Sequence, residues 1–209
     1  MVVKKINDVY DVILGSGSPR RRELLKALGL NYSVVTSRKE EVQIGSKTSE
    51  IVENLAKDKA EDVWNNPEVQ ARRGKPVLVI TADTVVDFEG TILGKPKDIG
   101  DAFRMLSMLS GKKNTVYTGV CIKTCEKEEC FHVETDVFFA KLTNEEIWDY
   151  IDSGEPMDKA GGYGIQGSFQ KHVTKIEGDY YNVVGLPVAE TVRVLNSFLK
   201  SVKTESCEK

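Results

Sequence analysis

Two apolar spacings take turns along this chain: short continuous runs, and positions three and four apart. Val12-Ile13-Leu14 reads as the end of a buried strand. Leu24, Leu25 and Leu28 then place a helical stripe between Pro19 and a stop at Gly29. Tyr32 to Val35 is a short strand, and from Thr48 to about Trp64 one side carries Ile51, Val52, Leu55, Ala56, Ala60 and Val63 while the other carries charge, which predicts an amphipathic helix. Asn65 to Lys75 is a polar connection, and Val77 to Thr81 is apolar and β-branched enough for the middle of a sheet, ending at Ala82-Asp83-Thr84. Phe88 to Thr91 makes a hairpin turn into Ile92-Leu93. Asp98 caps a helix with Ala102, Met105, Leu106 and Leu109 inward, stopped at Ser110-Gly111. Asn114 to Lys123 and Cys130 to Phe139 are β-rich and joined by a charged loop, and Thr143 to Glu146 is a capping box opening a helix to Asp152. Val173 to Ile176 and Tyr180 to Val184 predict a second hairpin. A last helix starts at Pro187 with Val188, Val192, Leu195 and Leu199 inward, and a polar tail follows from about Val202.

Alternating strands and helices predict one α/β domain over residues 1–209, and the hairpins exclude an all-parallel sheet. Composition changes little: 40% hydrophobic and 29% charged residues are ordinary for a soluble domain. A net charge of only −3 gives no support to general nucleic-acid binding. No apolar run is long enough for a membrane span, and MVVKKINDVYDV lacks a signal-peptide core, so a cytoplasmic protein is expected. Cys121, Cys125 and Cys130 do not have zinc-site spacing. They read as reduced thiols in a hairpin, with Cys125 and Cys130 placed to oxidise across the turn.

Candidate chemistry starts at the first strand-to-helix junction, ILGSGSPRRRELL. Ser18-Pro19 is an N-cap followed by proline at the first helical position, and Arg20, Arg21 and Arg22 crowd the first turn, where cations oppose the helix dipole. Either this is a solvated helix start, or an anion held by the arginines and the loop amides relieves the conflict; the second reading makes it a phosphate site. Asp83, at the end of a buried strand, must be hydrogen-bonded, paired or bound to metal, which makes it structural or catalytic. Lys95 is fixed between Gly94 and Pro96. Met157 to Gly167, with Gly161, Gly162, Gly164 and Gly167, is either a mobile loop or a close approach of backbone to something. Glu40 and Glu41 are surface charges, or one of them is a metal ligand. Lys59 lies at the edge of its helix's buried stripe, as a snorkelling lysine or a phosphate ligand.

These strings resemble the Maf family of nucleoside triphosphate pyrophosphatases. Ser16-x-Ser18-Pro19-Arg20-Arg21 is similar to its opening signature, Leu55 to Ala60 to its L-A-x-x-K-A segment, and Ala82-Asp83-Thr84 to its A-D-T motif. Gly94-Lys95-Pro96 is similar to its G-K-P, Tyr117 to Val120 to a T-G-V segment of no assigned chemistry, and Asp158 to Gly167 to its D-K-A-G-x-Y-G-I-Q-G string. The resemblance implies a mixed, strongly twisted sheet flanked by helices, two lobes around a cleft, similar to the inosine triphosphatase fold. It implies hydrolysis of a nucleoside triphosphate to monophosphate and pyrophosphate with a divalent cation, Mg²⁺, Mn²⁺ or Co²⁺, held by Asp83 and Glu41. Asp83 is then catalytic, with Arg20, Lys95 and Ser16 acting on the phosphates alongside the Gly15 to Ser18 amides, and Lys59 and Lys159 binding substrate. Arg21, Thr84 and Gln166 stand where the family's subgroups differ and match the subgroup acting on dTTP and UTP. A glutamine amide can donate to pyrimidine O4 and accept from N3–H. The implied partner is a small nucleotide, modified pyrimidines included, with neither stable nucleic-acid binding nor membrane attachment; a homodimer is left open. The rival reading is a catalytically silent nucleotide- or RNA-binding module, and Asp83 separates the two, since binding alone gains nothing from a buried carboxylate beside a polyanion.

Overall fold

The computed structural model describes residues 2–39 and 42–205, the last five as backbone alone, so Glu40, Glu41 and Cys207 lie outside the described residues. A seven-stranded mixed sheet runs in the order β2-β1-β3-β5-β6-β7, with β4 paired to β3 off that path. The α/β class and the mixed sheet expected from the sequence are both present. The chain divides into two compact units, Met1–Asp83 with Gly119–His132 and Gly185–Lys209, and Thr84–Thr118 with Val133–Val184. Three long strands, β3 (Val77–Phe88), β5 (Lys113–Lys123) and β6 (Glu128–Phe139), contribute to both.

In the first unit β1 (Asp11–Leu14) lies parallel to both β2 (Tyr32–Val34) and β3, with Val12 opposite Tyr32 and Leu78. Strand residues point alternately to the two faces, so each face collects its own core. Val12, Leu14, Leu78 and Ile80 pack with Val3 and Ile6 of α1 (Val2–Val9), Leu25 of α2 (Pro19–Ala27) and Leu195 and Phe198 of α8 (Val188–Glu205). Ile13 and Val79 pack on the other face with Val63 of α3 (Thr48–Trp64) and Val69 of α4 (Pro67–Gln70). Helices on both faces explain why these strands are apolar without alternation.

In the second unit β3 turns through Glu89 and Gly90, both at positive φ (51° and 80°), into β4 (Thr91–Leu93), a two-residue hairpin in which Val86 faces Leu93. The core joins Val86, Phe88 and Leu93 to Ala102, Leu106 and Leu109 of α5 (Ile99–Leu109) and Ile147 and Ile151 of α6 (Asn144–Asp152). Asp98 caps α5 and the Thr143–Glu146 box caps α6, as the spacing predicts.

Several elements differ from the sequence reading. α1 occupies a stretch given no structure, and α4 interrupts the predicted polar connection, started by Asn66, whose side chain accepts from the Glu68 amide, and by Pro67. The second hairpin does not form: β7 (Val173–Glu177) pairs antiparallel with β6, and Tyr180–Val184 is a short helix, α7, because Asp179 Oδ1 takes the Tyr181 amide at 2.8 Å. α8 continues to Glu205, past the predicted start of the tail. β3 does not end at Asp83 but runs through it, so the carboxylate rides on a continuous strand.

α3 lies close over β5 because Gly119 has no side chain: a Cβ there would stand 2.6 Å from the Val52 carbonyl carbon and 3.0 Å from the Glu53 nitrogen. Both are main-chain atoms of a helix and cannot rotate away. Gly119→Ala is expected to destabilise the protein by at least about 2 kcal/mol, read as a lower urea midpoint at unchanged slope.

Candidate active site

In the first unit the site is built at the carboxyl ends of β1 and the first half of β3. Gly15 carries β1 into the loop, its amide donating to Ile80 O at 2.8 Å, and a Cβ on it would collide with the Thr81 methyl. Gly15 is therefore required by close packing between strands. The next turn is tied by Ser16, 7% exposed, whose Oγ accepts from the Ser18 amide (3.3 Å) and from Arg21 (3.0 Å). Two of the Gly15 to Ser18 amides are thus bonded within the protein, which trims the expected anion cradle. α2 starts at Pro19 as predicted, and Ser18 is its N-cap by position, with no side-chain capping bond.

Arg21 is the surprise of this helix start. It is only 9% exposed, and its guanidinium donates to Gly185 O (2.7 Å), Ser16 Oγ (3.0 Å) and Ala82 O (2.9 Å). A planar fork with fixed donors suits three separated acceptors, where an ammonium would not. Arg20 next to it is half-buried and Arg22 exposed.

Asp83 follows Ala82 on β3 and is 8% exposed. Its Oδ1 receives the ammonium of Lys59, in a pair whose side chains are 11% and 17% exposed. Lys59 reaches it because α3 sits low on the sheet: Ala56 and Ala60 are fully buried on that face, and Thr81 donates to the Ala56 carbonyl at 2.6 Å. The lysine read as a phosphate ligand is thus engaged with the carboxylate itself. Cys121 and Cys130 pack beside Ala56 and Ala60 and are joined as a disulfide, whereas Cys125 is exposed and free, so the oxidisable pair is not the one expected across the turn.

In the second unit Lys95 is exposed and its neighbours are gripped by the glycine-rich segment: Gly161 N donates to Gly94 O at 2.9 Å, and a Cβ on Gly162 would lie 3.3 Å from Pro96. Gly161 and Gly162 have φ of +69° and +72°, and a Cβ on Gly161 would stand 2.9 Å from Val86. What the glycines approach is the protein's own strand and hairpin. Lys159 donates to Glu155 O (2.5 Å) and Asp158 Oδ1 (2.6 Å), and Glu155 Oε1 accepts from Ser168 N (3.2 Å), so both act within the segment. Tyr163 anchors it, bonded to Asn114 Oδ1 at 2.8 Å, with burial pushing its hydroxyl pKa far up. Gln166 is exposed on a turn. Thr84, half-buried, bonds Thr118, which bonds the main chain of Asn182.

Glu41, the second expected metal ligand, lies outside the described residues. Among the described residues no group of three ligating side chains surrounds Asp83; Cys121, Glu128 and Cys130 form a group beside α3. Asp83 alone still fits a hard divalent cation, because Mg²⁺ commonly takes one or two carboxylates and completes its shell with substrate phosphates and water. Glu155 and Thr118 went unassigned in the sequence, where only the T-G-V string marked Thr118. No helix among the described residues is long and apolar enough to cross a membrane.

A carboxylate and an ion-paired lysine at strand and helix positions beside a basic helix start define an α/β protein equipped for phosphate chemistry. The chain matches the model of the Maf-like protein family over residues 11–198 and belongs to that family. It is 50% identical over 195 residues to a dTTP/UTP pyrophosphatase of Agathobacter rectalis, covering 88% of this chain and 95% of the relative. Proteins of the same name from Bacillus pumilus (48%, covering 90% and 96%) and Lachnoclostridium phytofermentans (43%, covering 91% and 96%) are also similar. The structure of the Staphylococcus aureus Ham1 protein superposes with a TM-score of 0.47 at 13% identity, covering 91% of this chain and 98% of that one.

Truncating Arg21 removes three hydrogen bonds at once. Arg21→Ala is expected to cost at least about 2 kcal/mol of stability, and Arg21→Lys to recover less than half of it, since one ammonium cannot span three sites. Chemical denaturation of both variants measures this; an Arg21→Lys protein as stable as wild type would contradict it.

Proposed function

We propose that this protein hydrolyses nucleoside triphosphates, dTTP and UTP foremost, to the monophosphate and pyrophosphate, with water as nucleophile. The observation that carries the reading is Asp83, a buried carboxylate oriented by Lys59 and carried on a strand whose neighbouring carbonyl is fixed by Arg21. Relatives 43–50% identical over nearly their whole length bear the name of that activity.

Asp83 accepts the proton of the attacking water, which needs a carboxylate held in one orientation, and the Lys59 ion pair supplies that restraint. Ser16 Oγ already accepts two hydrogen bonds, so its own proton is directed to a phosphate oxygen. Arg20 and Lys95 offset charge on the phosphates, and Gln166 reads the pyrimidine by donating to O4 and accepting from N3–H, with Thr84 as a further substrate-binding residue. Asp83 together with Glu41 would hold a divalent cation, which would supply further positive charge at the phosphates. Lys159 supports the glycine segment, and Arg21 shapes the site by holding Ser16 and Ala82. The whole chain acts as one functional domain in the cytoplasm, with no stable nucleic-acid binding, in keeping with the net charge of −3; as a homodimer or a monomer, each copy carries all the residues assigned here.

Asp83→Asn keeps the shape of the side chain and removes its charge, so pyrophosphate release from UTP with Mg²⁺ should fall at least about 10²-fold. Orthophosphate as the product, or near-wild-type turnover by this variant, would sink the assignment. Arg20→Ala and Lys95→Ala should lower kcat/KM for every triphosphate by similar factors. A changed ratio between UTP and dGTP in either variant would place that cation at the base instead.

A further inference from the structure

Glu155 begins a turn of 3₁₀ helix, Glu155–Asp158, just after α6, and its half-buried side chain reaches the far end of the glycine-rich segment. Both carboxylate oxygens accept from the Ser168 amide, at 3.2 Å and 3.3 Å. A Cβ on Gly167 would overlap Oε2 and stand 2.8 Å from the carboxyl carbon, so the missing side chain at 167 is what lets the carboxylate sit on the main chain. The support is itself tied down. The Glu155 amide donates to Ser153 Oγ at 3.2 Å, Ser153 Oγ donates to Tyr150 O of α6 at 2.6 Å, and Glu155 O accepts from Lys159 Nζ at 2.5 Å. The stem of Lys159 then covers Gly164, where a Cβ would stand 2.6 Å from Lys159 Cε. Two side chains of one short stretch therefore grip the main chain at Gly164 and at Gly167 and Ser168. Between the two grips Ile165 is buried and Gln166 is exposed.

We infer that Glu155 is a positioning residue for base selectivity: by fixing the turn that carries Gln166, it makes the site take uracil and thymine and reject guanine. This rests on the proposed reading of Gln166 as the residue that contacts the base. The amide alone cannot make that choice. Guanine O6 and N1–H present the same acceptor and donor, side by side, as pyrimidine O4 and N3–H, so a glutamine that suits one edge suits the other. The two edges differ in distance, since guanine carries the pair further from the sugar by the width of a second ring. A turn free to shift would meet either edge, whereas a turn held in one place meets the pyrimidine and obstructs the purine. Glu155 holds it with an ionised acceptor, the stronger kind of hydrogen bond.

The test measures kcat and KM for UTP and GTP, which share sugar and phosphates, as pyrophosphate release. Wild type is compared with Glu155→Ala, Glu155→Gln, Gly167→Ala, Gln166→Ala and the double variant Glu155→Ala with Gln166→Ala. Wild type should prefer UTP. Glu155→Ala should lower the UTP/GTP ratio of kcat/KM about tenfold or more, chiefly through a higher KM for UTP. Glu155→Gln, equal in length and with one acceptor oxygen left, should keep the ratio within about threefold. Gly167→Ala displaces the carboxylate without removing it and should act as Glu155→Ala does; it carries the test if Glu155→Ala does not fold. Gln166→Ala should lower the ratio too, with no further fall in the double variant. If Gln166→Ala lowers the ratio while Glu155→Ala and Gly167→Ala slow UTP and GTP equally, Glu155 is merely structural, and the inference is overturned while the Gln166 reading stands. A wild type that does not prefer UTP, or an unchanged ratio in Gln166→Ala, overturns both.

Discussion

A guanidinium that is nine-tenths out of water must find acceptors, and in this protein the acceptors it finds frame the candidate site. Arg21 bonds the loop after β1 through Ser16, the strand β3 through Ala82 and the entry to α8 through Gly185. Its position in the first turn of a helix is electrostatically unfavourable on its own. Three charge-assisted hydrogen bonds offset that penalty, and the same bonds dictate where the carbonyl before Asp83 lies. The strand segment that carries Asp83 is thus held through the carbonyl of the residue before it.

The second constraint is how closely α3 lies on the sheet. Ala56 and Ala60 on the helix and Gly119 on β5 remove the side chains that would hold the two apart, and Gly15 does the same between β1 and β3. Small residues are usually read as weak packing, yet here they set the reach of a lysine. With α3 a few ångströms further out, Lys59 would extend into water, and Asp83 would be buried without its partner, an arrangement far costlier than the pair.

Much of this was legible in the sequence, and the legible parts are local. The start of α2 at Pro19, the extent of α3, the Glu89-Gly90 turn, the Asp98 cap and the Thr143 capping box each depend on residues within a few positions of one another. Asp83, Lys59 and Lys95 stood out because charge in an apolar pattern, or between glycine and proline, needs a reason. What the sequence hid was the partner of each charge. Nothing local says that Arg21 meets Gly185, that Lys59 meets Asp83, or that Cys121 pairs with Cys130 across two strands. The predicted hairpin at Tyr180 failed for the same reason. Its β-branched pattern is real, but Asp179 and the burial of Asn182 decide in favour of a helical turn.

Those hidden partners change the charge balance of the site. Counted from the sequence, Arg20, Arg21, Lys59, Lys95 and Lys159 could all face a triphosphate. In the folded protein Lys59 is balanced by Asp83 and Lys159 by Asp158, and Arg21 spends its donors on protein oxygens. Arg20 and Lys95 remain the cations proposed for the phosphates. The lysines turned inward serve geometry: Lys59 orients the carboxylate, and Lys159 holds in shape the glycine segment that carries Gln166. Charge is exchanged for rigidity at both places, which suits a reaction whose catalysis is mostly positioning.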